Sequence, residues 1–491
     1  MNELRVLTTS GVLEGFAEDS VCKFLGIPYA APPVGPLRWC APRHPENWTG
    51  VREAKQFGAA CVQQVGASFD LRVTEKSEDC LYLNVWTAAL GANASQPVMV
   101  WIHGGGNLGG AGSEDAFDGS RLAAKGVTVV SINYRLGAFG FLAHPTLGAN
   151  FAVLDQVRAL TWVRDNIAGF GGNPNNVTIF GQSAGAVAVK TLLSCPMARN
   201  LFHRAILQSG GFEAPAFAPA WSYERAQAAA EKLFDRLGSN DPAVLRTILT
   251  EDVGRVSHEL CGVFPVPGQV HTPANLVWMP VVDGDVVIKD DYAGWPPEVP
   301  VMMGCVENEA RYFIKPAGTY PPEVLERMAG ALCGPVKAQV LKTLAVADAT
   351  PYEMLDRLFT SAIWFEPAHE TIRKFAQLGR RFYYYHFNRQ SPGSIANQDL
   401  AKHTNEIRYV FGTLKPGDDY DDVDRALSEK MQIAWIDFAK GGVPLDADGH
   451  PWPSYRDDDP QYTLIRDDIV HQALEVDEVI RLIQSIRTTA S

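Results

Sequence analysis

A chain of 491 residues with 46% hydrophobic and 20% charged side chains has the composition of a globular protein with a large core. Its formal net charge of −13 argues against nucleic acid or an anionic membrane surface as a partner, and no apolar run reaches the roughly 20 residues that a membrane span needs. Linker-like tracts, low-complexity stretches and internal repeats are absent, so residues 1–491 read as one domain.

Residues 1–15 lack the basic and apolar segments of a secretory signal. That predicts a cytoplasmic chain as given, or a secreted or periplasmic one if a signal has been removed. A short apolar run at 21–27 is followed by the turn Ala31-Pro32-Pro33. Cys61 and Cys80 bracket a polar stretch and read either as a loop-closing pair or as two reduced thiols. Eight cysteines are too sparse for a disulfide scaffold, and no His/Cys cluster has metal-ligand spacing, so no metal is expected. The β-rich runs at 98–102 and 127–132 are nearly continuous, as in strands covered on both faces. A helical pattern at 154–167 precedes the strand-like run Asn176-Val177-Thr178-Ile179-Phe180, and a further strand follows at 205–208. Alternating strands and helices of this kind predict an α/β fold with a large, mostly parallel central sheet. Near the C-terminus, 429–440 places Met431, Ala434, Trp435 and Phe438 on one helix face. Gly441-Gly442 then ends that helix, which is expected to pack on the sheet.

Gly181-Gln182-Ser183-Ala184-Gly185 is a G-x-S-x-G between a strand and a small-residue run, the pattern of a nucleophile elbow. The turn lifts one hydroxyl to the sheet edge, which makes Ser183 the candidate nucleophile for acyl transfer. Gly104-Gly105-Gly106-Asn107-Leu108-Gly109 also matches G-x-G-x-x-G, the dinucleotide-binding pattern. That reading needs a helix on these glycines and an acidic residue closing the next strand. Instead Gly109-Gly110-Ala111-Gly112-Ser113 is a poor helix and the next strand runs into Asn133-Tyr134-Arg135. His103-Gly104-Gly105-Gly106 fits better as an HGGG-type loop whose free N–H groups stabilise an oxyanion, with Ala184 adding another.

These motifs sit among collinear segments that together resemble type-B carboxylesterases, the cholinesterase-like branch of the α/β-hydrolases. The segments include Phe24-Leu25-Gly26-Ile27-Pro28-Tyr29-Ala30, Ser77-Glu78-Asp79-Cys80-Leu81-Tyr82-Leu83-Asn84-Val85 and Phe170-Gly171-Gly172-Asn173-Pro174. The resemblance covers nearly the whole chain. It implies an α/β-hydrolase fold with loop and helical excursions around an active-site gorge, acting on small-molecule esters as a monomer or homodimer without a cofactor. It also implies that Glu309, in Gly304-Cys305-Val306-Glu307-Asn308-Glu309, is the triad acid. His403, in His403-Thr404-Asn405-Glu406, is then the base, and Gly105, Gly106 and Ala184 form the oxyanion hole. The same resemblance pairs Arg38 with Glu78, Arg135 with Asp155, and Cys61 with Cys80. The other ten histidines, His386 and His103 included, read as packed or structural.

Four positions depart from what relatives commonly carry: Asn107, Gln182, Lys402 and Thr404. Glutamine in place of glutamate beside the serine removes a charge suited to cationic substrates, and Lys402 adds the opposite one. The expectation is a polar neutral or carboxylate-bearing ester, with Asn107, Gln182 and Lys402 as candidate substrate-binding residues. Ala274 and Leu276 fall in a stretch resembling the acyl pocket, to which Phe212, Phe217 and Trp221 are candidate additions. The competing functions are a non-catalytic binding or adhesion protein on the same fold, and an amidase, carbamate hydrolase or lipase using the same triad.

Overall fold

Eleven strands form one sheet in the computed structural model, which describes residues 4–489 apart from 65–69, 218–220, 263–274, 290–291, 293–294, 297, 315–319, 347–348 and 418. In chain order they are β1 (Phe16–Glu18), β2 (Val21–Pro28), β3 (Tyr82–Thr87), β4 (Gln96–Ile102), β5 (Thr128–Ile132) and β6 (Gly172–Gln182). These are followed by β7 (Arg204–Gln208), β8 (Val301–Val306), β9 (Phe382–Phe387), β10 (Gln461–Ile465) and β11 (Ile469–Ala473). The spatial order is β11-β10-β9-β8-β7-β6-β4-β5-β3-β2-β1. From β5 through β4 and β6 to β10 every pairing is parallel, and antiparallel strands close both edges.

Side-chain alternation explains why the central runs are apolar throughout. Along β4, Val98, Val100 and Ile102 enter the core on one face, while Met99 and Trp101 enter the core on the other. The helices that matter to the site are α1 (Phe151–Asn166), α2 (Ala184–Leu193), α3 (Tyr223–Leu237), α4 (Asn405–Phe411) and α5 (Asp422–Gly441). α1 and α2 feed the first core through Leu160, Val163, Val189 and Leu192. α5 feeds the second through Met431, Trp435 and Phe438, so it packs on the sheet as expected.

Boundaries differ from the sequence reading at two helices. The helix expected at 154–167 starts at Phe151 and gives way to a 3-10 turn at Ile167–Phe170. The helix expected at 429–440 starts at Asp422, because Asp421 and Asp424 form a reciprocal capping box with bonds of 3.0 and 2.8 Å. Gly442, with φ 74°, ends the helix.

Two buried ion pairs brace the loops. Arg38 forks onto Glu78 at 2.8 and 2.5 Å, and Arg135 onto Asp155 at 2.7 Å twice. Cys61 and Cys80 form a disulfide, the first of the two readings open from sequence.

Candidate active site

The parallel strands deliver the candidate residues to one end of the sheet. β6 breaks into α2 at Ser183, whose backbone takes φ 56° and ψ −122°, a region that costs a non-glycine residue energy. Crowding explains the flanking glycines. A Cβ at Gly181 would lie 2.5 Å from the Gly185 backbone, and one at Gly185 would lie 2.0 Å from the Ile102 carbonyl oxygen. The Ser183 N–H donates to the Gln208 carbonyl at 2.8 Å, which ties the elbow to β7.

The glycine loop follows β4 directly. Gly105 and Gly106 take φ of 101° and 62°, conformations that favour glycine. Their N–H groups have no backbone acceptor among the described residues, and the Ala184 N–H, at the first position of α2, has none inside its helix. His103 shapes the loop from below. Its ring stacks on Tyr134 at 4.5 Å, and the Tyr134 hydroxyl donates to the His103 carbonyl at 2.7 Å. Burial pushes the His103 pKa down to about 4, which keeps it neutral.

Glu309 opens a 3-10 turn (Glu309–Tyr312) shortly after β8, and His403 lies just before α4. Glu309 is fully buried. One carboxylate oxygen accepts from the Val306 N–H at 3.1 Å and the other lies 2.5 Å from His403 Nδ1. The remaining ring nitrogen, Nε2, is 3.0 Å from Gln182 Nε2. An amide N–H donating there leaves the Nε2 lone pair as acceptor and the proton on Nδ1, facing Glu309. Tyr312, Phe313 and Trp364 pack around the imidazole with ring centroids 5.4–5.8 Å away. Thr404, next in the chain, carries φ 81°, which accounts for the glycine common there in relatives. Glu307 sits apart from the site, 3.0 Å from His386.

A gorge of about 830 Å³ opens onto Gly105, Gly106, Ser183, Ala184 and His403. Gln182, Leu276, Lys402, Phe212 and Trp221 also line it. Three expectations need correcting. Asn107 does not line the gorge: at φ 61° its buried side chain turns away, donating to the Trp278 carbonyl at 3.0 Å and contacting the Met279 sulfur. Lys402 reaches the gorge wall but is ion-paired with Asp399, so it does not present a free positive charge. Phe217 packs on the core instead of lining the gorge. Ala274 lies outside the described residues.

Sequence reasoning missed several wall residues. Glu114 lines the gorge, and burial pushes its pKa up to about 8, so it is largely protonated at neutral pH. Glu406, fully buried and not itself lining the gorge, is pushed up to about 7 by burial and then by the nearby Glu309 charge. Tyr312 and Phe313 follow the acid within four residues, and that proximity was the only signal for them.

A serine at a strand-to-helix elbow, a glycine loop with free N–H groups beside it and a carboxylate-bound histidine in one gorge define an α/β-hydrolase acting on carbonyl substrates. A model of the carboxylesterase family matches residues 2–327 and 337–479. The chain belongs to that family and is a carboxylic ester hydrolase. It is 34% identical to the fumonisin B1 esterase of Sphingopyxis macrogoltabida over 481 residues, covering 91% of this chain and 84% of that protein. It is 34% identical to the para-nitrobenzyl esterase of Bacillus subtilis (strain 168) over 489 residues, 94% of each. A solved PNB esterase structure superposes with TM-score 0.84 at 32% identity, covering 98% of this chain and all of that one.

Proposed function

We propose that hydrolysis runs through an acyl-enzyme on Ser183, with His403 as general base and Glu309 as its orienting acid. The observation that carries this reading is the 2.5 Å Glu309–His403 contact in the gorge that the Ser183 elbow enters. Once the Gln182 amide releases it, His403 Nε2 takes the hydroxyl proton as Oγ attacks the ester carbonyl, and Glu309 stabilises the imidazolium. Gly105, Gly106 and Ala184 offer N–H groups to the tetrahedral oxyanion, each donor contributing about 3 to 4 kcal/mol. The imidazolium then protonates the departing alcohol, and water repeats the sequence on the acyl-enzyme.

A polar neutral or carboxylate-bearing ester remains the substrate reading. Its support is now Gln182 and the protonated Glu114, which leave the gorge without strong negative charge at these two positions, and not Lys402. Ser183→Ala should lower kcat on p-nitrophenyl esters by about a million-fold. A phosphonate ester should label the wild-type peptide carrying Ser183. Retained activity in the variant, or a label elsewhere, refutes the assignment.

A further inference from the structure

Four cationic side chains line the gorge: Lys190, Arg225, Lys402 and Arg408. Lys402 is paired with Asp399, and Arg408 lies 2.9 Å from Asp70 and 3.5 Å from Asp115. Lys190 is buried and donates to the Phe212 carbonyl at 3.1 Å. Arg225 differs: it is exposed, and it has no carboxylate partner among the described residues. Its neighbour Glu224 hydrogen-bonds to Ser222 instead.

What holds Arg225 is an aromatic face. Its guanidinium carbon lies 4.3 Å from the centroid of Trp221, the shortest cation–aromatic approach among the described residues. Arg225 is also in the first turn of α3, where Ser222 accepts its backbone N–H at 3.3 Å. A positive side chain there adds to the positive end of the helix, an arrangement that disfavours the free cation and favours an anion beside it. An arginine laid on a tryptophan is common as surface decoration. Here the pair opens onto the substrate gorge, with its charge unanswered.

We propose that Arg225, oriented by Trp221, docks a carboxylate carried at the remote end of the ester substrate. The substrate class is thus esters with a free carboxylate several atoms from the scissile carbonyl, such as half-esters of dicarboxylic acids. A planar guanidinium fixed by stacking presents its fork of donors to a carboxylate, which a lysine at the same place would not do. The inference rests on Ser183 being the nucleophile of this same gorge.

The test compares mono-p-nitrophenyl esters of the dicarboxylic acids from succinate to sebacate with neutral p-nitrophenyl alkanoates of matched length. Acetates of the ω-hydroxy acids, followed by proton release, probe the alcohol side. At one length or more, Arg225→Ala should lower the acid-to-neutral ratio of kcat/KM by about ten- to a hundred-fold. Arg225→Lys should fall between, and Arg225→Glu should lower the ratio further. The same ratio in wild type and Arg225→Ala at every length, in both series, overturns the proposal. Neutral-ester hydrolysis that survives Ser183→Ala is a separate failure, because it removes the nucleophile reading and leaves the Arg225 ratio to be judged on its own.

Discussion

Replacing Gln182 by glutamate tests whether the amide beside His403 sets the pH range of the base. Gln182 Nε2 lies 3.0 Å from His403 Nε2, and both side chains are buried. The isosteric change puts a carboxylate there, facing the imidazolium that forms during acyl transfer. Two unit charges about 3 Å apart attract by about 5 kcal/mol at an effective dielectric of about 20. Burying the new carboxylate costs several kcal/mol in return. Glu309 already holds the opposite ring nitrogen at 2.5 Å, so the added field acts on a ring that is partly compensated. A net effect of about one to two pH units remains, or about 1.4 to 2.7 kcal/mol. The new charge favours the protonated ring, so the acid limb of the kcat/KM profile moves to higher pH. The assay is p-nitrophenyl acetate hydrolysis from about pH 5 to about pH 9, with Gln182→Met as the uncharged control. An acid limb that stays in place, or moves down, in a glutamate variant of unchanged melting temperature would refute the reasoning. The same holds if the methionine control moves as far.

Two further outcomes concern stability. Among the described residues, Arg38→Met leaves the buried Glu78 carboxylate with only the Thr250 hydroxyl at 2.5 Å and removes donors from the Leu245 and Ile248 carbonyls. It should cost about 3 to 5 kcal/mol in urea unfolding, and a loss below about 1 kcal/mol would show that the pair is not desolvated. Glu114 holds its proton longer folded than unfolded, from the ordinary 4.5 up to about 8. The folded state therefore binds the extra proton within that window, and stability falls as pH rises through it. Glu114→Gln should remove that fall, so its urea midpoint should gain on wild type between about pH 5 and about pH 8. A constant difference across the window would count against a buried, protonated Glu114.

The fold was readable because its signals are local. Continuous apolar strands, and the glycines that crowding demands at 181 and 185, can be recognised within a few residues of sequence. The Glu309–His403 pair spans 94 residues, and no local pattern joins them, so only the family resemblance placed it. The gorge wall was hardest to read. Asn107 reads as a substrate contact because it departs from what relatives commonly carry after the glycine loop, yet at its left-handed φ the side chain turns the other way. Lys402 read as a free charge although Asp399, three residues earlier, neutralises it. Arg225 and Glu114 came from stretches where nothing periodic indicates which side chain will face a cavity.

The strand order also decides when the protein can first act. Gln182, beside the nucleophile on β6, and His403, beyond β9, are 221 residues apart, joined only after β7, β8 and β9 have been laid down between them. A chain emerging from its N-terminus completes the elbow and the glycine loop early, and then carries an unactivated serine for nearly half its length. Its acid arrives next and its base last, so synthesis itself holds the hydrolase silent until the sheet is almost whole. A single cut anywhere between 183 and 403 divides the set, and neither fragment alone holds both serine and imidazole. Recovered ester hydrolysis would then report that the two pieces have found each other across the β-ladder.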